Sequence, residues 1–196
     1  MAKIDKMARL PSSEQVEAEM RRVRFNTKYF RLLRSTVYAL IVTAAVSVLV
    51  ATLFLPVLQI YGTSMSPTLT EGEIVVSIKQ KEYTRGDIIA LYYSNKVLVK
   101  RIIGVGDDVI QLTDEGTFII NGEELVESYI SKKAYGDLTD IEFPFTVPKN
   151  TYFVVGDHRE TSIDSRSTQI GCVEPSEVIG RIVFSIWPFS EFGKID

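Results

Sequence analysis

The longest uncharged stretch of this 196-residue chain runs from residue 35 to residue 70, and it strongly limits how the chain can fold. Its centre, residues 37–60, contains only Thr, Ser, Tyr and Gln as polar residue types. A helix over this centre would be roughly 36 Å long, whereas the hydrocarbon core of a bilayer is about 30 Å thick. We therefore predict one transmembrane helix over residues 35–60, with a tolerated kink at Pro56.

Two other interpretations of this stretch fit less well. A helix in the core of a soluble protein rarely continues for this length without a polar face. A cleaved signal peptide has an apolar region of only about 7 to 15 residues and a short charged leader. Here 34 residues, nine of them Lys or Arg, precede the uncharged stretch. A membrane anchor therefore explains the pattern best.

Charged residues are divided unevenly on the two sides of this segment. Residues 1–34 hold nine Lys and Arg against four Asp and Glu, whereas the rest of the chain holds 13 against 21. Because positive residues stay on the cytoplasmic side of a membrane, we expect residues 1–34 to form a basic, helical cytoplasmic tail. Residues 61–196 are then expected outside the cytoplasm, as an acidic domain that argues against nucleic-acid binding.

Short apolar runs separated by turn residues follow the uncharged stretch and predict an antiparallel β domain. The predicted strands cover residues 73–78, 87–93, 96–105, 108–113, 117–122, 152–156 and 180–187. Asn121-Gly122 is a strong signal for a two-residue hairpin turn. Residues 123–150 are less regular and contain Pro144 and Pro148, so we interpret them as a loop or small flap.

The chain has one cysteine, Cys172, and one histidine, His158. A single cysteine excludes an internal disulfide, and the two residues lack the ligand spacing of a zinc site. The sequence also has no phosphate-binding loop. We therefore expect neither a metal ion nor an organic cofactor, and we interpret Cys172 as a small apolar residue.

A serine lies just beyond the apolar segment, in the run SMSPTL at residues 64–69. Serine is a weak nucleophile without a neighbouring base, so Ser64 is by itself either a nucleophile or part of a linker. His158, with Asp157 beside it, is one candidate base. Adjacent residues of a strand point to opposite faces, which weakens a Ser-His-Asp arrangement, and a lone histidine in a polar loop is commonly solvated.

Lysine is the other candidate base, although its ordinary pKa of about 10.4 keeps it protonated at neutral pH. Burial among apolar groups lowers this pKa, so a catalytic lysine is expected inside an apolar strand. Lys100 has such a position in the run KVLVKRIIGV, where alternation places it on the same face as Leu98 and Ile102. The alternative is an edge strand on which Lys100 prevents aggregation.

Four blocks of residues follow one another along the chain. They are GTSMSPTL at residues 62–69, RGDI at 85–88, VKRIIG at 99–104 and GDHRETSIDSR at 156–166, trailed by GR at 180–181 and IWPF at 186–189. Together with the apolar segment, these blocks resemble type I signal peptidases, the membrane-anchored Ser/Lys proteases that cleave leader peptides from exported proteins.

The resemblance implies a role for each matching residue. It implies Ser64 as the nucleophile, with its backbone N–H as one donor of the oxyanion hole, and Lys100 as the general base. Ser162 corresponds to the serine that orients the lysine. The residues implied to hold the site by charge pairing are Asp157, Asp164, Arg101 and Arg166.

Two positions depart from the family pattern. His158 stands where the family often has asparagine, and we expect a tolerated polar exchange. Gly62 stands where some members have a serine whose hydroxyl donates to the oxyanion, so the second oxyanion donor is not identified. Lys100 separates this chain from the endoplasmic-reticulum type, which has histidine at that position.

The resemblance also implies a fold and an activity. The fold would be mainly β, an antiparallel catalytic domain of the signal-peptidase type behind one transmembrane helix. The activity would be that of a serine endopeptidase, which removes N-terminal signal peptides from exported preproteins at the outer face of the cytoplasmic membrane, next to the secretion translocon. The alternative is a non-catalytic, membrane-anchored β-module that binds peptides or partner proteins.

Apolar residues near the C-terminus leave one further question open. These residues are either contacts to the lipid membrane or ordinary core positions, since tryptophan favours membrane interfaces but also packs in cores. They are Ile186, Trp187, Pro188, Phe189 and Phe192.

Overall fold

The computed structural model describes residues 12–54 and 56–195. It divides into a helical unit that ends at Ala51 and a β-rich unit that begins at Thr52. Residues 1–11 of the predicted cytoplasmic tail lie outside the described residues.

One helix, α1 (Ser13–Phe54), covers both the predicted tail helix and most of the predicted membrane segment. A reciprocal cap begins it, because Gln15 N donates to Ser12 Oγ and Ser12 N donates to Gln15 Oε1. Of the described residues, only α1 forms a helix that is long and apolar enough to cross a membrane, as judged by length and composition.

The helical segment ends earlier than the predicted boundary at residue 60. Helix α1 ends at Phe54, and the first strand begins at Val57, so the placement of residues 57–60 in a helix is wrong. Pro56 explains the difference: it lacks a backbone donor and disfavours helical geometry in the residue before it. Residues beyond the proline pair with a neighbouring strand instead.

Eleven strands and one short 3₁₀ helix (Phe189–Glu191) make up the described part of the β-rich unit. The strands are β1 (Val57–Gln59), β2 (Ile74–Ile78), β3 (Ile88–Tyr93), β4 (Lys96–Val105), β5 (Val109–Leu112), β6 (Phe118–Ile120), β7 (Glu123–Glu124), β8 (Phe145–Thr146), β9 (Tyr152–Val155), β10 (Val178–Trp187) and β11 (Gly193–Lys194).

The strands form two antiparallel sheets, which confirms the predicted fold class. The larger sheet has the order β1-β2-β10-β3-β4-β9, with β11 paired to β10, and the smaller sheet has the order β7-β6-β5-β8. All seven predicted strands are present, and Asn121-Gly122 forms the predicted turn, with φ of +54° and +88°. The unpredicted strands β1, β7, β8 and β11 have two or three residues each, too few to show a period in the sequence.

Strand β4 has apolar residues packed against both of its faces. Ile102 packs in a core cluster with Ile89 and Leu91, whereas Ile103 packs in another cluster with Ile110 and Phe118 of the smaller sheet. A charged residue next to Ile102 and Ile103 is therefore surrounded by protein, whereas the beginning of the strand at Lys96 is exposed.

Residues 123–150 are mostly irregular but are joined to the smaller sheet. They supply β7 and β8 to the smaller sheet, and buried Val147 joins the cluster beneath it. Cys172 packs half-buried against the same cluster, and burial raises the pKa of its thiol. The aromatic residues Trp187 and Phe189 are exposed, as is Phe192, so the interpretation of these three as core positions is wrong.

Candidate active site

Ser64 lies in a tight loop between β1 and β2. Ser66 N donates to Thr63 O at 3.0 Å, and Leu69 N donates to Met65 O at 2.9 Å. Met65 and Leu69 are buried in the core beneath the loop, whereas the Ser64 side chain is only half-buried. The apolar anchors thus fix the loop and leave the hydroxyl accessible.

Lys100 is buried on β4, with only 3% of its surface exposed. Its Nζ donates to Ser162 Oγ at 3.0 Å. Burial lowers the pKa of Lys100 to about 8; among the smaller effects, Asp164 and Asp157 raise the pKa and Arg166 lowers it. The alternative that Lys100 protects an exposed sheet edge is wrong, because its charge does not reach solvent.

The loop between β9 and β10 joins Ser64 to Ser162. His158 N donates to Ser64 O at 3.0 Å, and Ser162 N donates to His158 O at 3.2 Å. Gly156, at the start of the loop, has no room for a side chain, because a Cβ there would overlap both Ser162 Oγ and Ser64 O. The Ser64 loop and the hydrogen-bond partner of Lys100 therefore meet at Gly156.

Two buried ion pairs hold this loop. Arg101 Nε donates to Asp157 Oδ1 at 3.0 Å and Nη2 to Oδ2 at 2.9 Å. Arg166 Nε donates to Asp164 Oδ1 and Nη2 to Oδ2, both at 2.9 Å. Burial alone would raise the pKa of Asp164, but the bonds and charge of Arg166, with the Gly156 N–H, hold it below its usual value.

The candidate base His158 is not engaged with Ser64 through its ring. The ring Nδ1 lies 3.3 Å from Thr161 Oγ1, and only the backbone of His158 contacts Ser64. The Asp157 carboxylate binds Arg101 and Thr68 instead of the His158 ring. The geometry therefore does not form a Ser-His-Asp triad.

A nucleophile and its base are expected within hydrogen-bond distance of each other. Among the described residues no hydrogen bond joins Ser64 Oγ to Lys100 Nζ, and Ser162 Oγ accepts from Nζ instead. Catalytic hydrogen bonds are often long without substrate and tighten in the reacting complex. Within the same described set, the Ser64 backbone N–H has no hydrogen-bond acceptor, so it is available to an oxyanion.

A cleft of about 500 Å³ opens beside Ser64. One wall is β1, the terminal strand of the larger sheet, and the other is residues 96–99 of β4. Pairing of β4 with β9 begins only at Arg101, so in the described structure residues 96–99 have a strand partner only on the β3 side. Two open strand edges therefore face the cleft.

A family model described as signal peptidase, peptidase S26, matches residues 33–187. This chain belongs to the signal peptidase family. As a member of peptidase S26, it is a serine-type peptidase and a hydrolase, so the alternative of a non-catalytic module is wrong. The apolar part of α1, the Ser64 loop, β4 and the Gly156 loop all lie inside the matched range.

Several named relatives are similar over most of the chain. Signal peptidase I of Bacillus licheniformis is 38% identical over 173 residues, which cover 82% of this chain and 91% of the relative. Signal peptidase IB of Staphylococcus aureus strain COL is 34% identical over 152 residues, which cover 68% of this chain and 78% of the relative. A crystal structure of a signal peptidase I from Enterococcus faecalis, at 33% identity and a TM-score of 0.43, covers 52% of this chain and 97% of that one.

Sequence reasoning missed the residues behind the loop. Glu127, Tyr129 and Arg159 form a buried network next to Arg101 and Gly156. Glu127 and Tyr129 lie in an irregular segment with no periodic pattern. The fourth sequence block contains Arg159, but nothing in that block identifies its partner.

Proposed function

We propose that this signal peptidase family member cleaves signal peptides from exported preproteins, with Ser64 as the nucleophile and Lys100 as the general base. The observation that carries the proposal is a buried lysine with a pKa of about 8, which donates a hydrogen bond to Ser162 Oγ; that hydroxyl and Ser64 O both lie against Gly156. Relatives named signal peptidase I support the choice of substrate.

The chemistry follows from the protonation state of Lys100. Neutral Nζ accepts the Ser64 proton as Oγ attacks the scissile carbonyl carbon, and the oxyanion takes a hydrogen bond from the Ser64 N–H. The resulting ammonium protonates the leaving amine, and an ester to Ser64 remains. Water then gives a proton to Nζ and attacks the ester, which releases the carboxyl product and restores the hydroxyl.

Ser162 and the ion pairs act on Lys100 rather than on substrate. Ser162 Oγ fixes the direction of Nζ, and the Arg166–Asp164 pair fixes the chain around Ser162. The charges of Asp164 and Arg166 have opposite effects on the Lys100 pKa, so burial remains the dominant cause. We propose that these groups, with Arg101 and Asp157, keep the base in place.

The cleft supports binding of an extended peptide. A segment laid between β1 and residues 96–99 of β4 would find backbone hydrogen-bond partners on both sides. The apolar walls would reject large side chains next to the scissile bond if the pockets are small, as the family resemblance implies.

Membrane placement is the second part of the proposal. The apolar half of α1 serves as the anchor, the basic segment before it stays in the cytoplasm, and the β-rich unit acts on the outer face, beside the secretion translocon. Tags at the two ends test this orientation in spheroplasts. We expect antibody to reach the C-terminal tag in intact spheroplasts and the N-terminal tag only after permeabilisation; the reverse would contradict this orientation.

The catalytic roles are tested on the full-length chain in detergent with a purified preprotein. We expect Ser64→Ala and Lys100→Ala each to lower cleavage about a thousandfold or more, since paired catalytic groups act as a unit. Ser66→Ala, two residues from the nucleophile in the same loop, is the matched control and should cleave at nearly the parent rate. Normal cleavage by either catalytic variant would overturn the proposal.

A further inference from the structure

A carboxylate without a role in the proposed chemistry is buried behind the Gly156 loop. Glu127 belongs to the segment between β7 and β8, and its side chain and that of Arg159 are both 0% exposed. Arg159 donates one hydrogen bond of 2.9 Å to Oε2 and a second to Oε1, while Tyr129 donates at 2.8 Å to Oε1. Both carboxylate oxygens are therefore engaged.

Arg159 connects this ion pair to the loop between β9 and β10, which contains the hydrogen-bond partner of Lys100. Its Nε donates to Gly156 O at 2.9 Å, and its own carbonyl accepts from Arg166 Nη2 at 2.9 Å. Gly156 is the residue against which Ser162 Oγ and Ser64 O both lie. Any movement of the Glu127 carboxylate would thus be passed to the Gly156 peptide, and from there to both serines.

Tyr129 makes a second connection, to the strand that carries the base. The guanidinium of Arg101 lies over the Tyr129 ring, 3.9 Å from its centre. Arg101 follows Lys100 in β4, and it also donates to Gly86 O at 2.9 Å and to Asp157. The segment that contains Glu127 and Tyr129 therefore contacts both Arg159 of the Gly156 loop and Arg101, the neighbour of Lys100 in β4.

Stability alone is a poor explanation for a charge pair in this place. Removing two charges from water costs free energy that offsets their attraction, and apolar side chains of similar volume often do as well. Apolar packing is not directional, whereas Arg159 fixes one carbonyl through its Nε while Glu127 holds its two terminal nitrogens. The ion pair provides orientation that apolar packing would not.

We propose, relying on the proposed roles of Ser64 and Lys100, that Glu127 is a positioning residue for the catalytic pair. It acts through Arg159 and Gly156 on Ser162 and Ser64, and Tyr129 supports it. A displacement of about 1 Å at reacting atoms can cost about a hundredfold in rate, so loss of the carboxylate should appear in kcat. Substrate binding in the cleft does not involve this network, so KM should change little.

The test uses Glu127→Gln in the full-length chain in detergent, with kcat measured above the Lys100 pKa of about 8 so that protonation does not limit the rate. We expect kcat to fall about tenfold or more and KM to stay within about twofold. The matched control is Asp108→Asn. Asp108 is also buried and binds Arg85 by two hydrogen bonds, but its other partners are Val105 N and Asn121.

Melting temperatures separate positioning from general destabilisation. Asp108→Asn should also lower the melting temperature, because it breaks a partly buried ion pair, but it should keep kcat within about twofold. Equal loss of kcat in the two variants, in proportion to lost stability, would overturn the proposal. If Glu127→Gln does not fold, Tyr129→Phe provides the test, since it removes only one hydrogen-bond donor to Glu127. We expect kcat to be about threefold lower in this variant. An unchanged kcat would overturn the proposal.

The same assay distinguishes failure of this proposal from failure of the proposed function. Full activity in Glu127→Gln, together with inactive Ser64→Ala and Lys100→Ala, would overturn the positioning role alone. Activity in Lys100→Ala would overturn the assignment of Lys100 as the base, and the positioning role of Glu127 would fail with it.

Discussion

The two halves of β4 have similar apolar sequences but different neighbours. Residues 96–99 pair with β3 only and form one wall of the cleft, whereas residues 101–105 pair with β9 and lie in the core. Lys100 lies between them, at the last position of β4 before pairing with β9 begins at Arg101. Its amine is therefore buried enough to lose its proton near pH 8, yet its backbone borders the edge to which a peptide can add.

The same strand shows what burial does to a lysine. Lys96 and Lys100 are four residues apart and on the same face, but Lys96 is exposed at the open end and Lys100 is 3% exposed. Residue type and strand alternation are equal for the two. The neighbours of each position determine which one can act as a base.

The largest effect among the following changes is expected at Ser162, the hydrogen-bond partner of Lys100. Ser162→Ala removes the hydrogen bond from Lys100 Nζ, so the amine loses its fixed direction, and kcat should fall about a hundredfold with little change in KM. Steady-state cleavage of a preprotein measures it. Ser77→Ala, a buried serine of β2 that donates to Pro56 O, is the control; an equal loss there would remove the special role of Ser162.

A smaller effect on catalysis is expected at residues 96–99 of β4, which form one wall of the cleft. Val97→Trp places a large side chain in the cleft, and we expect KM to rise about tenfold with a smaller change in kcat, because steric exclusion acts on binding. Val109→Trp on β5 is the matched control, since both valines are partly exposed. If both variants bind substrate equally well, the cleft does not bind the peptide at residues 96–99.

The smallest effect is expected for the exposed lysine. Lys96→Met should change kcat and KM by no more than about twofold, because the variant keeps the backbone that borders the cleft and an exposed charge contributes little to binding at ordinary salt. Lys100→Met, the same substitution four residues along, should be nearly inactive. Similar losses in the two variants would mean that burial does not distinguish the lysines.

Much of this arrangement was predictable from the sequence. Period-two apolar runs indicated β4 and six other strands, and the position of Lys100 in such a run indicated a buried amine. The roles of Ser64 and Ser162 came from the resemblance to signal peptidases, since a serine near a membrane segment has no chemistry of its own. The site residues implied by the resemblance do come together around Gly156.

The rest depends on contacts between distant parts of the chain. The register of β9 against β4 determines where their pairing begins, and the local sequence around Arg101 does not predict that register. In the sequence, Glu127 lies in an irregular segment with no sign of burial, and it contacts Arg159 only in the folded chain. The sequence does not show that α1 ends at Phe54, because a proline near the end of an apolar segment fits a kink as well as a helix end. The pairing of β1 with β2 decides between the two.

The pH dependence of kcat/KM for the unmodified chain tests most directly whether Lys100 is a base made neutral by burial. Because the lysine pKa is lowered to about 8, the neutral fraction is small below that pH and nearly complete above it. We predict that kcat/KM rises about tenfold between pH 7 and pH 9, with a midpoint near 8. A profile that is flat over this range, or that falls as the pH rises, would contradict the account.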